Sequence, residues 1–98
     1  MIRDLIERGL EHHRAGRLSE AQTLYEQALS LKPRHPDALH LLGLVALQNG
    51  DSTAATTLLE RAIQAQPRNP AFHADLAQAH LASKRAATLD PRNPQFAG

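Results

Sequence analysis

The sequence predicts an all-α solenoid of helix-turn-helix repeats with about five helices, and three observations carry that expectation. The chain repeats itself at 34 residues: Leu5, Gly9, Ala21, Ala28 and Pro33 stand 34 positions ahead of Leu39, Gly43, Ala55, Ala62 and Pro67. Within each copy the apolar positions recur at three- and four-residue steps, which places them on one helix face. Each copy then closes on the same loop, Pro33-Arg34-His35-Pro36 and Pro67-Arg68-Asn69-Pro70. A period of roughly 20 to 50 residues marks units that cannot bury their own apolar face and must stack on a neighbour. The class of work this implies is binding by a curved helical surface; it names no ligand.

The first helix is expected from about Ile2 to Ala15, ended by Gly16, and the second runs to Leu31. Ser19-Glu20-Ala21-Gln22 has capping-box spacing, so Ser19 is expected to cap the second helix. Pro36 opens the third, at a position where the missing N–H has no partner to lose. From Asp37 to Gln48 the residues Leu39, Leu42, Val45 and Ala46 share a face with Gly43, which lets the next helix approach to backbone distance and so outweighs the roughly 1 kcal/mol cost of glycine in a helix. Asn49-Gly50 ends that helix, because glycine tolerates the left-handed conformation just past a helix end. Asp51, Ser52 or Thr53 caps the fourth, which turns Ala55, Leu58, Leu59 and Ala62 inward and stops at Pro67.

The repeat then breaks. The Pro-Arg-x-Pro signature returns at Pro91-Arg92-Asn93-Pro94, only 24 residues after Pro67, so ten residues of a third unit are missing. Either a deletion fuses both helices of that unit into one rod from Pro70 to about Leu89, or the sequence omits part of it. The expected organisation is a first repeat over 2–35, a second over 36–69, a truncated third over 70–91, and the start of a further repeat or a disordered tail over 92–98. The chain reads as a piece of a longer protein.

The positions Leu39, Leu42-Gly43, Ala46, Ala55, Leu59, Ala62 and Pro67, with Leu5, Gly9, Ala21, Tyr25, Ala28 and Pro33 in the first copy, resemble the tetratricopeptide repeat over about residues 2–82. Arg8 and His12 depart from the pattern in the first copy, as suits the solvated face of a terminal repeat. The resemblance implies a right-handed solenoid whose concave groove is lined by the first helix of each repeat. Its candidate partner-binding residues are Arg3, Ile6, Leu10 and His13; Asp37, His40, Leu41, Leu44, Leu47 and Gln48; and Ala74 and Gln78. Co-chaperone members of the family clamp a C-terminal carboxylate with Lys, Asn and Arg, but the matching places here hold Ile6, Leu10, Leu41, Ala71 and Asp75, so that ligand is not expected. The asparagine ladder of the glycosyltransferase relatives is replaced by Glu7, Leu41 and Asp75.

At 98 residues the chain has room for one domain, burying about two thirds of its unfolded surface. The net charge of +1 and three aromatic residues give no nucleic-acid surface, which needs clustered cations and stacking rings. Without cysteine there are neither disulfides nor thiolate metal sites. No apolar run approaches the roughly 20 residues that span a membrane, and the start lacks a signal-peptide core, so a cytoplasmic location is expected. Six histidines invite a metal, yet His73 and His80 are about 10 Å apart along a helix, His12 and His13 diverge by about 100°, and no HExxH pair exists. No cofactor, metal or catalytic constellation is expected. Arg34, Arg68 and Arg92 recur along the loop edge, where solvation is the simpler reading and steering of an acidic partner the sharper one.

The functional expectation is a non-catalytic scaffold that takes a protein or peptide, extended or helical, across an apolar groove. Leucines there also have a plain alternative, packing against the neighbouring repeat. One rival is self-assembly, in which a second copy covers the unpaired third unit through Leu76, Leu81 and Leu89 to form a homodimer. Another is a docking arm of a larger enzyme, such as a transferase carrying these repeats.

Overall fold

The computed structural model describes residues 1–89, with side chains through residue 85. Five helices follow one another: α1 (Ile2–Arg14), α2 (Leu18–Leu31), α3 (Pro36–Gln48), α4 (Ser52–Ala65) and α5 (Pro70–Leu89). No strand occurs among the described residues. Helices α1 and α2 form one antiparallel hairpin and α3 and α4 the next, while α5 packs on α4 and touches α3. Thus α1, α3 and α5 make one layer and α2 and α4 the other. The expected all-α repeat solenoid is the fold.

The two hairpin turns are copies of each other. Gly16 has φ +81° and Gly50 φ +82°, the left-handed region that glycine enters without a Cβ penalty. In the first turn Arg17 N–H donates to the His12 carbonyl at 2.8 Å and Gly16 N–H to His13 at 3.1 Å. In the second, Asp51 N–H donates to Ala46 at 2.8 Å and Gly50 N–H to Leu47 at 3.1 Å. These paired bonds satisfy carbonyls that the helix end would otherwise leave open.

The helix starts differ in chemistry. Asp51 caps α4 by accepting from Ala54 N–H at 3.1 Å, and His35 Nδ1 accepts from Ala38 N–H at 3.2 Å ahead of Pro36. Asn69 does the same for α5, its Oδ1 accepting from Ala71 N–H at 3.0 Å. The expected Ser19 capping box is not formed. Helix α2 begins at Leu18 with Arg17 in the cap position, so Ser19 already lies inside the helix, where its side chain cannot reach back. Leu18 packs on the cluster of Ala21, Tyr25 and Val45, which draws the first turn inward. Gln22 instead donates to Glu26 at 3.2 Å, and the Ser19 carbonyl accepts from the Thr23 hydroxyl.

Three small clusters form the core along the solenoid: Ala21, Tyr25 and Val45; Leu39, Ala62 and Phe72; and Ala55, Leu59 and Ala79. Each joins residues from successive hairpins, so the apolar surface of one unit is buried by the next. The glycines of the repeat set the helix separation. A Cβ at Gly43 would stand 3.1 Å from Leu59 Cγ, and one at Gly9 would stand 2.9 Å from Tyr25 Cδ1. No helix among the described residues is long and apolar enough to cross a membrane.

Candidate functional site

The layer of α1, α3 and α5 carries every groove residue expected from the sequence. At one end of it a cavity of about 370 Å³ is lined by Ile2, Arg3, Ile6, Glu7, Lys32, His35 and Asp37. Three candidates, Arg3, Ile6 and Asp37, therefore meet in one concavity, joined by loop residues that repeat spacing did not suggest. Further along, Leu10 and Leu44 are half-buried. Leu41 packs on the Ala21, Tyr25 and Val45 cluster and Leu47 on the Ala55, Leu59 and Ala79 cluster, so both serve the packing between repeats. Ala74 and Gln78 are exposed on α5.

The polar candidates are tied to one another across the layer. His13 on α1 has Nε2 2.5 Å from Gln48 Oε1 on α3, while its Nδ1 lies 3.2 Å from the Tyr25 hydroxyl. His40 on α3 bonds the carboxylate of Asp75 on α5 through Nε2 and tilts against the Phe72 ring with centroids 4.8 Å apart. Both links span 35 residues, one more than the repeat, because each joins α1 to α3 or α3 to α5 at positions one residue past the repeat register. Burial pushes the Tyr25 phenol up to about 12, with the nearby Arg14 opposing the shift. The hydroxyl therefore stays protonated and can donate to His13 Nδ1, leaving Nε2–H to donate to Gln48. Among the described residues no group of three His, Cys, Asp or Glu side chains could hold a metal ion.

Of the self-association candidates, Leu76 packs on the Ala55, Leu59 and Ala79 cluster, whereas Leu81 is 44 % exposed. The side chain of Leu89 lies outside the described ones. His12, in a slot where the repeat pattern has an aromatic ring, is half-buried and accepts from Arg17 Nε at 2.8 Å. His80, in the same slot of the third unit, is exposed.

The solved structures to which the chain is similar include the following two. One is a mutant of the O-GlcNAc transferase of Thermobaculum terrenum, with 27 % identity and a TM-score of 0.75. The other is a thermophilic TPR protein of Thermus thermophilus, with 26 % identity and a TM-score of 0.83. The comparison covers 93 % of this chain against 19 % of the transferase chain, and 98 % against 50 % of the Thermus protein. The chain thus spans half or less of each of these structures. No curated protein sequence matches it. The sequence model of the tetratricopeptide repeat matches twice, over residues 6–70 and 40–88. With matches in both registers, the 34-residue period and the stacked hairpins, the chain belongs to the tetratricopeptide repeat family.

Proposed function

We propose that this chain is a non-catalytic protein-interaction scaffold whose α1, α3 and α5 layer receives an apolar peptide or amphipathic helix. Repeats of this family are in general scaffolds for protein partners. The observation that supports the groove is the cavity on which Arg3, Ile6 and Asp37 converge, continued by half-buried Leu10 and Leu44. A helix laid there would gain about 25 cal/mol for each Å² of apolar surface buried, before the cost of association. The polar groove residues His13, Gln48, His40 and Asp75 already bond one another, so they shape the floor and leave the apolar residues to make contact.

The test is fluorescence anisotropy with a panel of labelled amphipathic helical peptides. Saturable binding that is lost in the Ile6→Asp, Leu44→Asp double variant, with helicity kept by circular dichroism, is the expected result. Binding that survives the double variant sinks the groove reading.

A second reading is self-association through α5, supported by Leu81, which is 44 % exposed. The docking-arm alternative draws support from the likeness to a transferase chain of which this one covers 19 %.

A further inference from the structure

A cavity of about 330 Å³ opens where the α2–α3 loop meets the last turns of α4, lined by Arg34, Leu39, Arg61, Gln64 and Ala65. We propose that it binds a carboxylate side chain of an acidic peptide, at the loop edge of the solenoid and independently of the groove. Its two guanidiniums and the Gln64 amide supply donors, while exposed Ala65 offers an apolar wall to the stem that carries the anion.

Several observations converge on that ligand. Arg61 donates from Nη2 to the Pro33 carbonyl at 3.3 Å, which draws its guanidinium onto the loop that carries Arg34. A guanidinium has five N–H donors in a fixed fork, so this single bond leaves most of them for a ligand. No carboxylate lines the cavity and neither arginine joins an ion pair among the described residues. Glu60 precedes Arg61 on α4 but is turned from it by about 100° and stays outside the lining. Arg68 follows Ala65 by three residues, in the loop after α4, in a chain whose net charge is only +1. Two like charges held around one opening favour an anion between them, and charge-assisted forks are the stronger kind of hydrogen bond.

The backbone selects among anions. Helix α3 starts beside the cavity, but His35 Nδ1 already takes the Ala38 N–H that a phosphate would seek. Helix α4 ends at Ala65, presenting the negative end of its dipole to this edge. A monoanionic carboxylate on an apolar stem suits that setting better than a phosphate dianion.

The experiment is an NMR titration of the isotope-labelled chain with the peptide acetyl-ALEEA-amide. Saturable shifts are expected at the Arg34 and Arg61 Nε–H signals and at the Gln64 side-chain amide. Arg34→Gln should weaken the apparent affinity by about tenfold, and Arg61→Lys, which keeps the charge but loses the fork, should weaken it as well. Both side chains are exposed, so each variant should melt like the parent chain. The Ile6→Asp, Leu44→Asp groove variant should titrate unchanged, which separates this site from the groove. Absence of these shifts overturns the proposal, as do equal shifts with acetyl-ALQQA-amide or an undiminished response in Arg34→Gln. Displacement of the peptide by an equal concentration of inorganic phosphate would reassign the cavity to free oxyanions and overturn it too.

Discussion

The ring of Tyr25 occupies the space that a side chain on Gly9 would need: a Cβ there would lie 2.9 Å from Cδ1 and 3.1 Å from Cζ of a phenol with no exposed surface. In the second repeat Gly43 faces Leu59 in the same way, but with 3.1 Å to Cγ and 3.4 Å to Cδ2. The two glycines look interchangeable in the repeat pattern, yet their neighbours differ in how far they can yield.

Alanine should therefore act differently at the two sites. Replacing a helical glycine by alanine gains about 1 kcal/mol of intrinsic propensity. At Gly43 a shift of a few tenths of an ångström by Leu59 accommodates the methyl group, and the net change should stay within about 0.5 kcal/mol. At Gly9 the buried ring must move, and a net loss of about 1 kcal/mol or more is expected. Urea midpoints of the two single variants decide the order; a less stable Gly43→Ala contradicts this account.

Tyr25 should also make the fold sensitive to alkali. Its folded pKa lies near 12 against an ordinary 10.0, chiefly because burial disfavours the phenolate. A proton held more tightly in the folded state gives stability that is fully present below pH 10 and is lost as pH rises from 10 towards 12. The loss should be about 3 kcal/mol. Tyr25 is the chain's single tyrosine, so the ultraviolet tyrosinate band reads this site alone. The band should rise near 12 with the native fold or together with unfolding, and a titration near 10 in a folded chain would refute the shift. Tyr25→Phe should remove the slope, at the expense of the hydroxyl contact to His13.

Asp75→Ala should loosen the third unit without unfolding the first two. The substitution leaves a half-buried His40 without its carboxylate, at a cost of about 1 kcal/mol. Contacts of α5 run mainly to α4, so the helix should stay docked. Hydrogen exchange of α5 amides should quicken by about fivefold while α1 and α2 remain unchanged. Uniform acceleration along the chain would mean that the repeats open together.

If α5 pairs two copies, light scattering coupled to size exclusion should report a mass that climbs with concentration above the 10.7 kDa of one chain. Leu81→Glu should return it to that value. A constant single-chain mass through the tens-of-micromolar range removes this reading.

The first four helices, their order and both turn glycines were legible in the sequence because the repeat register states them twice, whereas the third unit, with its broken period, left a single rod and an omitted segment equally open. Local competition was less legible. Ser19 offers capping spacing, but the position of Leu18 on the core, a tertiary matter, decides where α2 begins. The links from His13 to Gln48 and from His40 to Asp75 were missed because they join side chains on different helices at an offset of 35. A search for complementary polar pairs one residue beyond the period would have found them. The meeting of Arg34 with Arg61 depends on how the loop folds against α4, for which the 34-residue pattern carries no signal.

The two links along the α1, α3 and α5 layer have a mechanical consequence. Both lie on the face formed by α1, α3 and α5, opposite the layer of α2 and α4. They act as ties along one side of a spring. Straightening the solenoid would stretch them, and a hydrogen bond weakens quickly as its atoms separate, whereas tighter coiling leaves them in reach. The molecule should thus be stiffer against flattening than against winding up, with that asymmetry set by two histidines rather than by its apolar core.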